Sequence, residues 1–476
     1  MVTLKSFLGM IAAVPFIMAC NQTGQVNATL FPASGSENVN PDTHLVLTFS
    51  ETPVLGDSGM IRVYDAVTDQ VVDSLDLSIP SGPTESRTYG PECDYTKVPY
   101  DYTRTVMPTN KDTRPGTPSG TAEPTPPVYQ LTIIGGFTDA FHFYPVIVRD
   151  SIATIYLHNN MLEYGHTYYV TIDNGVLNLA DGSFQGVTKE DEWIFTTKSD
   201  MPELSDTLIV DATGKGDFNT VQGALDFIPD FNERQTVILV NPGDYEELVY
   251  TRNKWHVKIK GAGMADTKVH YANNEVFNPH PLTVKTNEWP GTFPSRRAAF
   301  MLDNCKDIVI EDMTIATDLK GQAEGLLING ERIALYRVHI IGSGDALQAN
   351  GTIYMESCEL DGGGDTILGR GSLFAYKSNF RNGGGPFSWV RNTAGNHGNV
   401  FVECTFSTED GKQADYGRTK SNHGSAYPDA EFVLIDCKVK NIIPEGWSSI
   451  GAKTAKMYEY NTCCLLYTSP SPRDYA

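Results

Sequence analysis

From about residue 300 the chain alternates apolar and polar positions in short blocks. DIVIEDMTI (307–315), RIALYRVHI (332–340), TIYMESCEL (352–360), SLFAYKSNF (372–380), NVFVECTF (399–406) and EFVLIDCKV (431–439) each read as a β-strand with period two. Their final apolar residues, at 315, 340, 360, 380, 406 and 439, are separated by 25, 20, 20, 26 and 33 residues. One strand block per 20 to 30 residues is the mark of a solenoid, because each repeat buries its apolar face only against its neighbours. Short GG and NG turns between blocks predict a right-handed parallel β-helix. Cys358, Cys404 and Cys437 fall in the same inward slot as Met313 and Val338, which predicts a buried stack of small residues rather than a metal site.

The first part of the chain has a different texture. LVLTFS, MIRVYDA, ATIYLHN, HTYYVTID and EWIFTT are strand-like runs separated by turn residues, with no helical period. They predict a small antiparallel β-sandwich over residues 28–199, interrupted by a Pro/Thr-rich insertion at about 83–127. After the linker SDMPELSD, the stretch DATGKGDFNTVQGALDFIP predicts one short helix. Asn219 is its expected N-cap, Val221, Ala224, Leu225 and Ile228 its apolar face, and Pro229 its stop. The fold class is therefore all-β, with the β-helix over 206–462 preceded by the sandwich.

A length of 476 residues suits two such domains. The formal charge of −22 excludes nucleic acid as a partner, since phosphate binding needs clustered Lys and Arg. An extended polyanion would be repelled as well unless it is neutralised locally. Residues 1–20 read as an export signal: Lys5, an apolar run from Phe7 to Met18, then Ala19-Cys20. The apolar run is too short to span a bilayer. Its end resembles a bacterial lipobox, which implies lipidation of Cys20 and anchoring of an exported monomer to the outer membrane or cell surface; a plain secretory peptide, and a secreted protein, is the alternative. At the other end, CLLYTSPSPRD (464–474) resembles a translated sequencing-library adapter, so 463–476 is expected to be an artefact.

Two stretches carry the candidate chemistry. GSGDALQAN (342–350) and GGGDTILGRG (362–371) place Asp345 and Asp365 twenty residues apart, each five residues past the same strand slot. One period apart in a solenoid means neighbouring coils, about 4.8 Å apart. Two adjacent carboxylates resist joint ionisation, so one is expected to hold a proton near neutrality while the other stays charged. Counting back one coil brings Gln322 near the same row. Plain Gly-Asp turns remain the alternative at this stage.

The motifs GDYEE, GQAEGL, GSGDAL, GDTILG, YGRT and IPEGW, in that order, resemble carbohydrate esterase family 8, the pectin methylesterases, over nearly all of 206–462. The N-terminal region resembles bacterial immunoglobulin-like modules. The resemblance implies a cofactor-free and metal-free ester hydrolase acting on pectin-like methyl-esterified uronans. It implies Asp365 as nucleophile, Asp345 as general acid and then base, Gln322 as an oxyanion donor, and Arg418 as the group that holds Asp365. Three positions depart from the family pattern. Gly344 stands where a second glutamine is usual, Thr366 where an aromatic is usual, and Thr419-Lys420 where a tryptophan is usual. Gln348 or a main-chain N–H near Gly344 could supply the lost donor, and Trp389, Tyr416 and Thr366 are the expected substrate contacts. An esterase or thioesterase acting on another acyl group, and a non-catalytic glycan-binding β-helix, are the rival readings. A polyuronate lyase is disfavoured, because no carboxylate cluster suits calcium.

Overall fold

The computed structural model describes residues 26–85, 129–137, 140–279, 295–392, 394–420, 427–448 and 450–464. Residues 1–20 with Cys20, nearly all of the 83–127 insertion and the end of the tail lie outside the described residues.

The repeating blocks stack as parallel strands. A 17-stranded sheet and a 7-stranded sheet run along the same region, and every pairing within them is parallel. A complete coil contributes two strands to the larger sheet and one to the smaller, as in 352–356, 359–362 and 367–369. This is a parallel β-helix, and its register follows the period in the sequence. Ile315 pairs with Ile340, Ile340 with Leu360, Leu360 with Phe380, Phe380 with Phe406 and Phe406 with Val439, and all six side chains are buried.

Between the first two strands of each coil the chain turns on a single left-handed residue: Ser357 (φ 54°), Lys377 (48°), Glu403 (53°), Asp436 (54°) and Asn461 (51°). A left-handed L-residue costs about 1–2 kcal/mol. The same corner recurs in coil after coil, so the ladder on either side must hold it. The next residue points into the corner, where space is short. That column is Met313, Val338, Cys358, Ser378, Cys404, Cys437 and Thr462, all buried. The cysteines in it are free thiols.

The described residues between 26 and 199 include a 4-stranded and a 5-stranded sheet with predominantly antiparallel pairing, packed over one core that includes Leu47, Val63, Ile155, Val170 and Trp193. This module docks on the β-helix. Its Ile134, Phe137 and Phe141 pack with Tyr250, Tyr271, Met301 and Leu327, and Arg252 stacks 4.0 Å from the Phe137 ring centre. Tyr250, Met301 and Leu327 are successive members of one outward-facing column of the 7-stranded sheet. The module thus covers the lower half of the wall whose upper half carries the site described below.

The helix is Val221–Phe227, and its N-cap is Thr220, whose hydroxyl accepts from Gly223 N at 2.9 Å. The sequence pointed to Asn219, but that side chain is used at the module junction, accepting from Asn40 (2.7 Å) and donating to Thr43 (3.0 Å). The helix stops before Ile228, which is extended because Pro229 follows. Asp42 of the N-terminal module accepts from Asn219 N, Thr220 N and the Thr220 hydroxyl at 2.8–2.9 Å. Glu247, from the GDYEE motif, accepts from Val221 N and Gln222 N. Two carboxylates therefore satisfy the amides at the start of one helix, and one of them belongs to the other module. Replacing Asp42 with Ala should cost about 1–2 kcal/mol of stability in chemical denaturation, the usual worth of a cap.

Candidate functional site

Asp345 and Asp365 each stand two residues before a strand of the smaller sheet. Those strands pair Leu347 with Ile367, so the two aspartates are stacked on neighbouring coils. The loops before them also touch, Gly364 N donating to the Gly344 carbonyl. Both residues are 8% exposed. Arg418, in the strand Gly417–Arg418, donates from Nε to one Asp365 oxygen (2.9 Å) and from a terminal nitrogen to the other (2.5 Å). Such a forked pair fixes both oxygens and compensates the charge.

Asp345 has a different environment. Burial pushes its carboxyl up to about 7; Arg297 works against the rise, while Glu324 and Asp365 add to it. The two carboxyls thereby sit in unlike environments, Asp365 in a forked guanidinium pair and Asp345 raised by burial to about 7 with one contact to Arg297.

Arg297 organises the rest. Its Nε donates to both oxygens of Glu324 (2.9 and 2.8 Å), and its terminal nitrogens reach Glu324 (2.6 Å), Asp345 (3.0 Å) and the Gln322 amide oxygen (2.5 Å). With the amide oxygen engaged, the Gln322 NH2 is the end left to donate outward. The Glu324 side chain is fully buried. By register, Leu326 pairs with Leu347, so Glu324, not Gln322, is in line with the aspartates. The expected row of Gln322, Asp345 and Asp365 is corrected to Glu324, Asp345 and Asp365, with Gln322 tied in through Arg297.

The structure brings Gln322, Asp345, Asp365 and Arg418 together with Trp389. Trp389 faces outward in the same column as Gln348, Leu368 and Arg418, and the Arg418 guanidinium lies 4.3 Å from its ring centre. Two expected substrate contacts are corrected. Tyr416 is 0% exposed and packs in the core against Phe406 and Trp447. Thr366 is also fully buried, its hydroxyl accepting from Asn382 at 2.8 Å. Gly344 has no room for a side chain, since a Cβ there would sit 2.6 Å from the Gly321 carbonyl oxygen and 3.3 Å from the Gln322 Cα. The coils pack too closely at that point for a glutamine.

Arg297 and Glu324 were not singled out from the sequence. Glu324 lies inside GQAEGL, and the column count could have found it had the longer turn before Leu326 been allowed for. Arg297 sits in SRRAAF, outside any repeat block, and carries no periodic signal. Among the described residues, one cluster has metal-ligand spacing: Glu246, His270 and Asp318, with ligand atoms within 4.8 Å of one another. It lies at the module junction, and Arg149 pairs with both of its carboxylates.

The pectinesterase family profile matches residues 207–460. Pectinesterase QRT1 of Arabidopsis thaliana is 26% identical over 282 residues, covering 55% of this chain and 70% of that protein. Pectinesterase 31 of the same plant is 24% identical over 264 residues, covering 53% and 80%. Among solved structures, pectin methylesterase from carrot aligns with a TM-score of 0.46 at 18% identity, over 56% of this chain and 85% of that one. Pectin methylesterase PemA from Erwinia chrysanthemi aligns with a TM-score of 0.44 at 17% identity, over 56% and 91%.

Proposed function

We propose, since the chain belongs to the pectinesterase family, that it removes methyl esters from a pectin-like polygalacturonan through an acyl-enzyme on Asp365. The observation that carries the mechanism is the unlike treatment of two stacked carboxyls, Asp365 in the Arg418 fork and Asp345 pushed up to about 7.

In the first half-reaction an Asp365 oxygen attacks the C6 carbonyl carbon. The Gln322 NH2, oriented by Arg297, donates to the developing oxyanion. Asp345 gives its proton to the departing methoxyl oxygen, methanol leaves, and the acyl group stays on Asp365 as an anhydride. In the second half Asp345, now ionised, takes a proton from water, and the hydroxide attacks the same carbonyl carbon. The products are the free uronate and the original enzyme. Gln348 stands on the outward column between Leu327 and Leu368 and takes the place of the second amide that Gly344 cannot carry.

The test is methanol release from methyl-esterified polygalacturonan, matched one to one by new carboxyl groups. Turnover of acetyl esters or thioesters with no methanol from pectin would move the chain to the rival acyl-esterase reading. Binding to pectin without any ester turnover would leave only a glycan-binding β-helix.

The acid step also fixes a pH dependence. Asp345 must be protonated to release methanol, and its carboxyl titrates at about 7. kcat/KM should therefore fall as pH rises through about 7, and a profile flat to pH 9 would remove Asp345 from that role.

For the rest of the chain, the two-sheet module reads as an immunoglobulin-like domain, and Cys20 as a lipid attachment site at the cell surface. Cys20→Ser should move the protein from the membrane fraction to the soluble one.

A further inference from the structure

The corner column puts two cysteines on consecutive coils. Thr405 pairs with Lys438, so Cys404 lies directly beneath Cys437, one full turn of the solenoid earlier in the chain. Both are 0% exposed. Parallel neighbours in register have Cα atoms about 4.8 Å apart, within the roughly 4.4–6.8 Å that a disulfide spans. Cys358 occupies the same slot and is equally buried, but its neighbours in the column are Val338 below and Ser378 above. Ser378 also separates it from Cys404. The column therefore holds one adjacent pair of thiols and, in Cys358, a third that has no thiol beside it.

The two sulfurs of the pair already interact. The Cys404 thiol is raised, first by its hydrogen bond with Cys437 and then by burial, and the same bond lowers Cys437. Cys437 is thus the more acidic member and the one that supplies a thiolate, the form that attacks a disulfide. The other contacts of the pair are weak. Cys404 Sγ lies 3.4 Å from the carbonyls of Ala375 and Val402, and Cys437 Sγ lies 3.5 and 3.4 Å from those of Phe401 and Ile435. A thiol is a poor donor, so little is lost when it is converted. Ser378 serves the same corner with a hydroxyl, donating to the Tyr376 carbonyl at 3.1 Å.

We propose that Cys404 and Cys437 become joined by a disulfide when the chain folds in an oxidising compartment, closing one complete turn of the β-helix into a covalent ring. The export signal read in residues 1–20 would deliver the chain to such a compartment. The oxidant is a small disulfide or a disulfide oxidoreductase. The Cys437 thiolate attacks one sulfur of the oxidant and expels the other as a thiol. Cys404, on losing its proton, attacks the Cys437 sulfur of the mixed disulfide and expels the second thiol. Two protons and two electrons pass from the pair to the oxidant, which leaves fully reduced. Both sulfurs are buried in the finished fold, so the exchange takes place before the upper coils close over them. The ring contains the strand Gly417–Arg418, and Arg418 is the residue that forks onto Asp365. The disulfide therefore pins the coil that supplies Arg418 to the coil beneath it.

The experiment is peptide mapping of the full-length protein, refolded from denaturant in a glutathione redox buffer, alkylated while denatured and digested without reduction. Wild type should give a peptide pair linked through Cys404 and Cys437 that disappears on reduction, with Cys358 recovered as an alkylated thiol. Reduction should lower the wild-type Tm by about 5–10 °C, because a disulfide acts chiefly by constraining the unfolded chain. Cys404→Ser, which installs the residue this slot already holds at 378, should abolish the linked pair and make Tm indifferent to reductant. Cys358→Ser should keep both. Recovery of Cys404 and Cys437 as alkylated thiols from wild type overturns the proposal with no variant needed. So does a linked peptide that joins Cys358 to either of them, or a wild-type Tm that reduction leaves unchanged. Neither readout involves ester turnover, so the result stands apart from the functional reading above.

Discussion

Replacing Asp365 with Asn should lower the rate of methanol release by about 10⁴-fold or more, in the range seen when a nucleophile acting within a catalytic unit is removed. The shape of the side chain is retained, so the stacked loops at Gly344 and Gly364 have no reason to move. Arg418 keeps an acceptor in the amide oxygen but loses the ionic fork, which should cost about 1.5–3 kcal/mol of stability. The loss should fall on kcat with KM little changed, because the substituted group makes its bond only in the reaction. One side effect has a definite sign. Asp365 is among the groups that raise Asp345, so removing its charge should lower the Asp345 titration below about 7. The measurements are methanol release by gas chromatography and a carboxyl titration of the variant. More than about 1% of wild-type rate in a clean preparation would rule out a covalent role for Asp365.

What could be read from the residues alone follows from what repeats. The slots at 315, 340, 360, 380, 406 and 439 are in register because each is the last apolar position before a turn, and a buried ladder tolerates no slip without exposing its inner face. The stacking of Asp345 on Asp365 was legible for the same reason: seven residues separate Leu360 from Ile367, and seven separate Ile340 from Leu347. One coil earlier the interval from Ile315 to Leu326 is eleven. The four additional residues shift the count from Glu324 to its neighbours, and this is why Gln322 was put in the row. Tyr416 was misplaced for another reason. It precedes the two-residue strand Gly417–Arg418, too short for alternation to tell inside from outside. Thr366 was given an aromatic's place by family likeness, whereas the packing of its hydroxyl against Asn382 turns it inward. The docking of the N-terminal module on the lower wall was also out of reach, since no period links Phe137 and Phe141 to Tyr250.

Arg297→Gln should produce the second large effect, on stability and chemistry together. The guanidinium is the counter-ion of Glu324, whose side chain is completely buried, and removing one partner of such a pair typically costs about 3–5 kcal/mol. Arg297 also works against the rise of the Asp345 carboxyl, so its loss should send that group further up from about 7. The sign for folding follows. A carboxyl titrating higher in the folded state binds its proton more tightly there than in the unfolded chain, so its contribution is present at acid pH and is lost as pH rises through the folded value. The variant should therefore recover part of its lost stability on acidification, and the alkaline limb of kcat/KM should move upward. kcat itself should fall as well, because the Gln322 amide is no longer held by its oxygen at 2.5 Å. The double variant Arg297→Gln/Glu324→Gln separates these effects. It removes both members of the buried pair, so most of the stability should return while the defect in kcat remains, giving a coupling energy of about 2 kcal/mol or more in a double-mutant cycle. Strictly additive losses in the two single variants would show that Glu324 and Arg297 are not compensating one another. The arginine would then act on Asp345 and Gln322 without the buried glutamate that fixes it in place.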